Sequence, residues 1–187
     1  LDTSGETDAV INARALNQTN FVTFVGANGV GTANISSNRL IFSDASANQN
    51  QILNGGDTDV RVSTTAGYVA GNNNVYDVYN TADVSIADLS QVSNFGRIEF
   101  HNDAAVAQTL TLTLNDAVVE AMVDSSNTAS SAATQETLFV TAFDGAAVSA
   151  LNVNATAVTS AFHTLNITGA GGADSIVGGT GADTISG

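Results

Sequence analysis

The chain has 187 residues and a formal charge of −14, from eighteen Asp and Glu against four arginines and no lysine. Without a basic patch to pair with phosphates, nucleic acid and anionic membranes are excluded as partners, and without cysteine there are no disulfides, thiolate metal sites or cysteine nucleophiles. A length of this order supports one domain or two small ones, and so acidic a chain repels itself unless hard cations, which favour oxygen ligands, sit among its carboxylates.

Short alternating or β-branched runs bounded by Asn, Asp and Gly predict strands at Asn20 to Val25, Arg39 to Phe42, Val60 to Ser63, Val75 to Tyr79 and Arg97 to Phe100. Gln49 to Gly56 and Asn72 to Asn74 read as turns between them. Within Asn54 to Val60, Asp57 and Asp59 are candidate metal ligands, with an ordinary Asp-Gly turn as the other reading. Thr109 to Leu114 alternates strictly, Leu110, Leu112 and Leu114 on one face and three threonines on the other, as a half-buried strand requires. One helix is expected over 116–123, capped by Asn115 or Asp116, with Val118, Val119 and Met122 at helical spacing. The Ser-, Thr- and Ala-rich tract Asp124 to Thr134 is the expected boundary between a β-rich region over 1–134 and a second unit over 135–187, which opens with a strand at Thr137 to Phe143. No apolar run approaches the roughly 18 residues that span a bilayer, so no membrane insertion is expected. No charged-then-apolar leader precedes Leu1, and the chain reads as processed, excised from something larger, or exported without an N-terminal signal.

From Leu151 a nine-residue register appears: LNVNATAVT, SAFHTLNIT, GAGGADSIV, GGTGADTIS. The eighth positions, Val158, Ile167, Ile176 and Ile185, are all β-branched and apolar. A fixed short period of this kind points to coils of a parallel solenoid. Gly169, Gly172, Gly178, Gly179 and Gly181 supply turn conformations that side-chained residues resist, and Asp174 and Asp183 add full charges to the carbonyls of those turns. The result is an oxygen-only ligand set, suited to Ca²⁺ rather than zinc or copper.

The last two blocks follow Gly-Gly-x-Gly-x-Asp-x-apolar-x, with Ala170 as one departure, and over 169–187 the chain resembles the repeats-in-toxin (RTX) nonapeptide proteins. The resemblance implies an all-β fold, a strand-rich N-terminal region (solenoid or sandwich) followed by a right-handed parallel β-roll at the C-terminus. It also implies calcium held between coils eighteen residues apart. On that spacing the partners one coil earlier are Thr156 for Asp174 and Leu165 for Asp183, neither a carboxylate. The sites are then expected to be completed by further repeats of a larger parent chain or by other copies of the protein. The function implied is a calcium-dependent structural module of a secreted bacterial surface protein, an S-layer protein or adhesin exported by a type I route. The alternatives are the non-catalytic tail of a secreted hydrolase and a self-assembling extracellular filament subunit.

No catalytic residues are expected. His101 and His163 lack a nucleophile elbow or a His-Glu-x-x-His zinc helix; His101 reads as a turn histidine on the surface, and His163 as one more side chain of the nonapeptide register. The pairs Asp57 with Asp59 and Asp83 with Asp88 read as solvated turn residues or additional cation ligands rather than as a glycosidase pair.

Overall fold

A computed structural model describes residues 10–12, 23–25, 39–43, 52–54, 69–70, 75–80, 83–87, 89–90, 92–102, 104–124, 135–145 and 147–187. Asp57, Asp59 and Asp88, and the expected strand at Val60 to Ser63, lie outside the described residues. The early strands are β1 (Val10–Asn12), β2 (Thr23–Val25), β3 (Arg39–Ser43), β4 (Ile52–Asn54), β5 (Val69–Ala70), β6 (Val75–Asn80), β7 (Val84–Ile86) and β8 (Val92–Ser93). They are followed by β9 (Arg97–Asn102), β10 (Thr109–Asn115), helix α1 (Asp116–Asp124), β11 (Gln135–Phe143), β12 (Ala150–Ala157), β13 (His163–Thr168), β14 (Ser175–Val177) and β15 (Thr184–Ser186).

All strand pairings among the described residues are parallel. An eight-stranded sheet runs β1-β3-β6-β9-β11-β13-β15, with β5 also on β11; a four-stranded sheet runs β14-β12-β10-β7, and a third runs β2-β4-β8. From β9 onward the strands alternate between the first two sheets. Parallel neighbours cannot be joined by a tight hairpin, and from β9 onward the chain between neighbouring strands of one sheet carries a strand of the other. In the eight-stranded sheet β11 bonds β9 on one side and β13 on the other; the expected boundary at Asp124 to Thr134 lies, beyond Asp124, outside the described residues.

The alternation read in the sequence is the reason these strands bury one face. Leu110, Leu112 and Leu114 of β10 are wholly buried while the intervening threonines face outward. Parallel registry then stacks like on like. Tyr76, Ile98, Val140, Ile167 and Ile185 are successive partners in one sheet, and Ile86, Leu112, Val153 and Ile176 in the other. Each such buried side chain contributes about 1.5–3 kcal/mol relative to exposure. The stack thins at β15, where Ile185 is 47% exposed against none for Ile167.

The nine-residue register holds for Ile167 and Ile185, which are partners, but not for Val158: it is Val153 that pairs with Ile176. Val158 is buried in the turn after β12, under Gly179, where a Cβ would meet the Val158 side chain and carbonyl at 2.8 Å. The extra residues lie in longer strands: beyond Val153, β12 runs on to Ala157, and β13 opens at His163, well before Ile167.

Helix α1 starts where the sequence predicts. The Asn115 side chain accepts the Val118 amide at 2.9 Å, the bond of an N-cap, and Asp116 supplies a negative charge to the first turn. Val118, Val119, Met122 and Val123 join the core. Near the other end, the Asn94 amide donates to the Ala121 carbonyl at 2.8 Å, so a carbonyl of the last turns is satisfied from outside the helix. Asn94 does this at φ 58°, a conformation asparagine adopts more readily than most residues. Among the described residues, no helix is long and apolar enough to cross a membrane.

Candidate functional site

Three aspartates stand immediately before a strand and do the same work. Asp83 accepts the Thr109 amide at 2.8 Å, Asp174 the Leu151 amide at 2.8 Å, and Asp183 the Leu165 amide at 2.9 Å. In each case a carboxylate oxygen takes the place of a ladder carbonyl at the point where the neighbouring strand has outrun its partner, so the amide is not stranded. For Asp183 the partner lies eighteen residues earlier, as the repeat spacing anticipates; for Asp174 the separation is twenty-three, and its neighbour is Leu151 rather than Thr156.

The two terminal turns surround these carboxylates closely. A Cβ on Gly169 would overlap Oδ2 of Asp174, and one on Gly178 would overlap Oδ2 of Asp183. A Cβ on Gly172 or Gly181 would overlap the carbonyl of Ser149 or His163 on the adjacent coil. The turns differ in one respect that bears on ion binding. Oδ2 of Asp183 accepts the Gly179 amide at 2.7 Å, whereas Oδ2 of Asp174 is buried without a hydrogen-bond donor. A buried, anionic oxygen left without a donor is costly, and a hard dication fits it. Gly169, Asp174 and Gly172 would form one part of such a site, and Gly178, Gly179, Gly181 and Asp183 the corresponding part of a second. The segment after β11 brings a carboxylate to the first turn as well: Asp144 accepts the Ser149 amide at 2.6 Å and the Gly171 amide at 2.7 Å.

Both histidines sit among carboxylates. His101 lies within β9 rather than in a turn, half-buried, its ring stacked on Phe143 at 4.7 Å between centroids. Its Nε2 is 3.1 Å from the fully buried Asp77 and 3.7 Å from Glu99. Burial alone would lower its pKa, but the hydrogen bonds and charges of Asp77 and then Glu99 outweigh that and push it up to about 9. His101 is therefore an imidazolium at neutral pH, the cation of a buried ion pair.

His163, at the start of β13, is register partner to Glu136 of β11, and both are buried. Its Nδ1 is 2.9 Å from Asp116 and its Nε2 3.0 Å from Glu120 and 3.3 Å from Glu136. Asp116 also receives the Thr159 hydroxyl and the amides of Thr159 and Ser160. Burial would raise the Asp116 pKa, but the Thr159 hydroxyl, those amides and the His163 ring hold it down at about 2.

Two short-range signals for these clusters are present in the sequence. Glu99 and His101 are two apart on a strand, and Asp116 and Glu120 four apart on a helix, spacings that share a face. What brings Asp77 to Glu99, or Glu136 to His163, is strand registry over twenty residues or more, which no local pattern reveals. No family model, curated protein or solved structure matches this chain.

Proposed function

We propose that the chain is a calcium-dependent structural module of a secreted bacterial surface protein, an S-layer protein or large adhesin of the RTX type. Its alternating strands are read as coils of a right-handed parallel β-roll, the hand that parallel crossovers favour. The observation that carries this reading is the buried, donorless Oδ2 of Asp174 against Gly169, where a Cβ would overlap it. The charge of −14 supports it: in an ion-poor compartment the carboxylates repel, and where calcium is abundant its binding free energy becomes folding free energy. Calcium at a hundred times its Kd would add about 2.7 kcal/mol per site. Further coils, from a longer parent chain or from other copies, would supply the remaining oxygens above Ile185.

The test is a calcium titration followed by calorimetry and circular dichroism, beside a chelator-treated sample. Calcium uptake with a rise in melting temperature, both reduced in Asp174→Asn, is expected. Identical spectra and melting with and without calcium would overturn the reading.

A further inference from the structure

We propose that Glu120, Glu136 and His163 form a site for a borderline divalent transition ion of the zinc type, separate from the calcium turns. The three side chains come from α1, β11 and β13, and one ligand atom from each lies within 4.8 Å of the others. The Nε2 separations of 3.0 and 3.3 Å are close to the edge of a ligand tetrahedron, roughly 3.3 Å when metal–ligand bonds are about 2.0–2.1 Å. The third edge, between the Glu120 and Glu136 oxygens, is no longer than 4.8 Å.

The orientation of the imidazole is a second, independent pointer. Asp116 already receives a hydroxyl and two amides, and an ionised carboxylate only accepts, so the contact at 2.9 Å places a proton on Nδ1 of His163. With Nδ1 held as a donor, Nε2 is the nitrogen that faces the two glutamates and would offer its lone pair to an ion. A carboxylate locking the far nitrogen of a histidine is the usual support of a metal-binding imidazole. One imidazole proton can bridge to one glutamate at a time, whereas a dication bonds both. The mixed nitrogen and oxygen set favours zinc and its neighbours over calcium. Entry is open, since the Glu120 and Asp116 side chains are 31% and 35% exposed while His163 and Glu136 are buried. Three protein ligands leave a position for water, and the bound ion would fasten α1 to β11 and β13 in a chain without disulfides. The Asp77, Glu99 and His101 group lacks these features: Glu99 stands off at 3.7 Å, and the ring is a stacked imidazolium.

The experiment titrates zinc chloride, and separately cobalt(II) chloride, into the chelator-stripped full chain in the presence and absence of calcium. One equivalent of zinc, unaffected by calcium and by Asp174→Asn, is expected, with cobalt giving the visible bands of a low-coordinate nitrogen and oxygen site. Glu120→Gln, on the helix surface, should weaken zinc at least tenfold, and Asp116→Asn by about 10–100-fold, both with wild-type circular dichroism. No stoichiometric zinc uptake by the folded wild-type chain, or uptake unchanged in Glu120→Gln, would overturn the proposal and leave the cluster a buried ion pair. Zinc binding that survives while calcium has no effect would refute the calcium reading alone.

Discussion

Oδ1 of Asp183 accepts the amide of Leu165, eighteen residues earlier, at 2.9 Å, while Oδ2 accepts the amide of Gly179 in its own turn. One carboxylate therefore ties a turn to itself and to the coil beneath. Asp183→Ala strands both amides, one of them on a buried residue, and should cost about 1–3 kcal/mol. Asp183→Asn keeps an acceptor oxygen, so without calcium it should unfold close to wild type and lose only the increment that calcium adds. Urea unfolding with and without calcium distinguishes the two substitutions.

The glycines of the two terminal turns should not be equivalent. At Gly181 an added Cβ would overlap the backbone carbonyl of His163, which cannot swing aside, whereas at Gly171 its nearest neighbour is the Asp144 carboxylate at 2.7 Å, the far end of an exposed side chain. Gly181→Ala is expected to lower the melting temperature by several degrees or more, a loss of about 1–3 kcal/mol, and Gly171→Ala by less. Equal losses in thermal melts would show that conformational freedom, rather than close approach, decides both positions.

Stability should fall on the alkaline side. His101 is raised from 6.5 to about 9 by Asp77 and Glu99 against the opposing effect of burial. Its contribution is fully present below the unfolded value near 6.5 and is lost as pH rises through about 9. Asp116 acts in the opposite sense: held at about 2 against 3.8, it stabilises above 3.8 and ceases to as pH falls through 2. Denaturant midpoints should decline in the wild type from about pH 6 to about pH 10 and flatten in His101→Gln.

How much of this was legible in the sequence depends on range. The alternation of β10, the cap at Asn115 and the helix after it are local, set by period and hydrogen-bonding chemistry within a few residues, and they appear where the pattern puts them. The repeat spacing appears only between β13 and β15, because β12 and β13 are longer strands than β14 and β15 and put Val153 in the place assigned to Val158. The histidine clusters were out of reach. Glu136 and His163 meet because two strands adopt one register, and a single sequence does not state its registers. Asp174, by contrast, was marked by the glycines around it, since Gly169 and Gly172, where a Cβ would overlap a neighbour, stand within a few residues of the carboxylate.

The deepest part of the stack should respond to truncation as a close-packed core and not as a string of separate coils. Leu112 is wholly buried, with Ile86 beside it in β7 and Val153 in β12. Leu112→Ala removes side-chain volume between two neighbours that are themselves fixed by parallel hydrogen bonding, so neither can close the gap without moving its strand. The expected loss is about 2–5 kcal/mol. Ile185→Ala, at the thin end where the side chain is 47% exposed, should cost clearly less in the isolated chain. If further coils stack on β15, the same substitution in the longer assembly should approach the Leu112 value, because Ile185 would then be covered as Ile167 is. Chemical denaturation of both variants, alone and in the assembled protein, measures that difference directly.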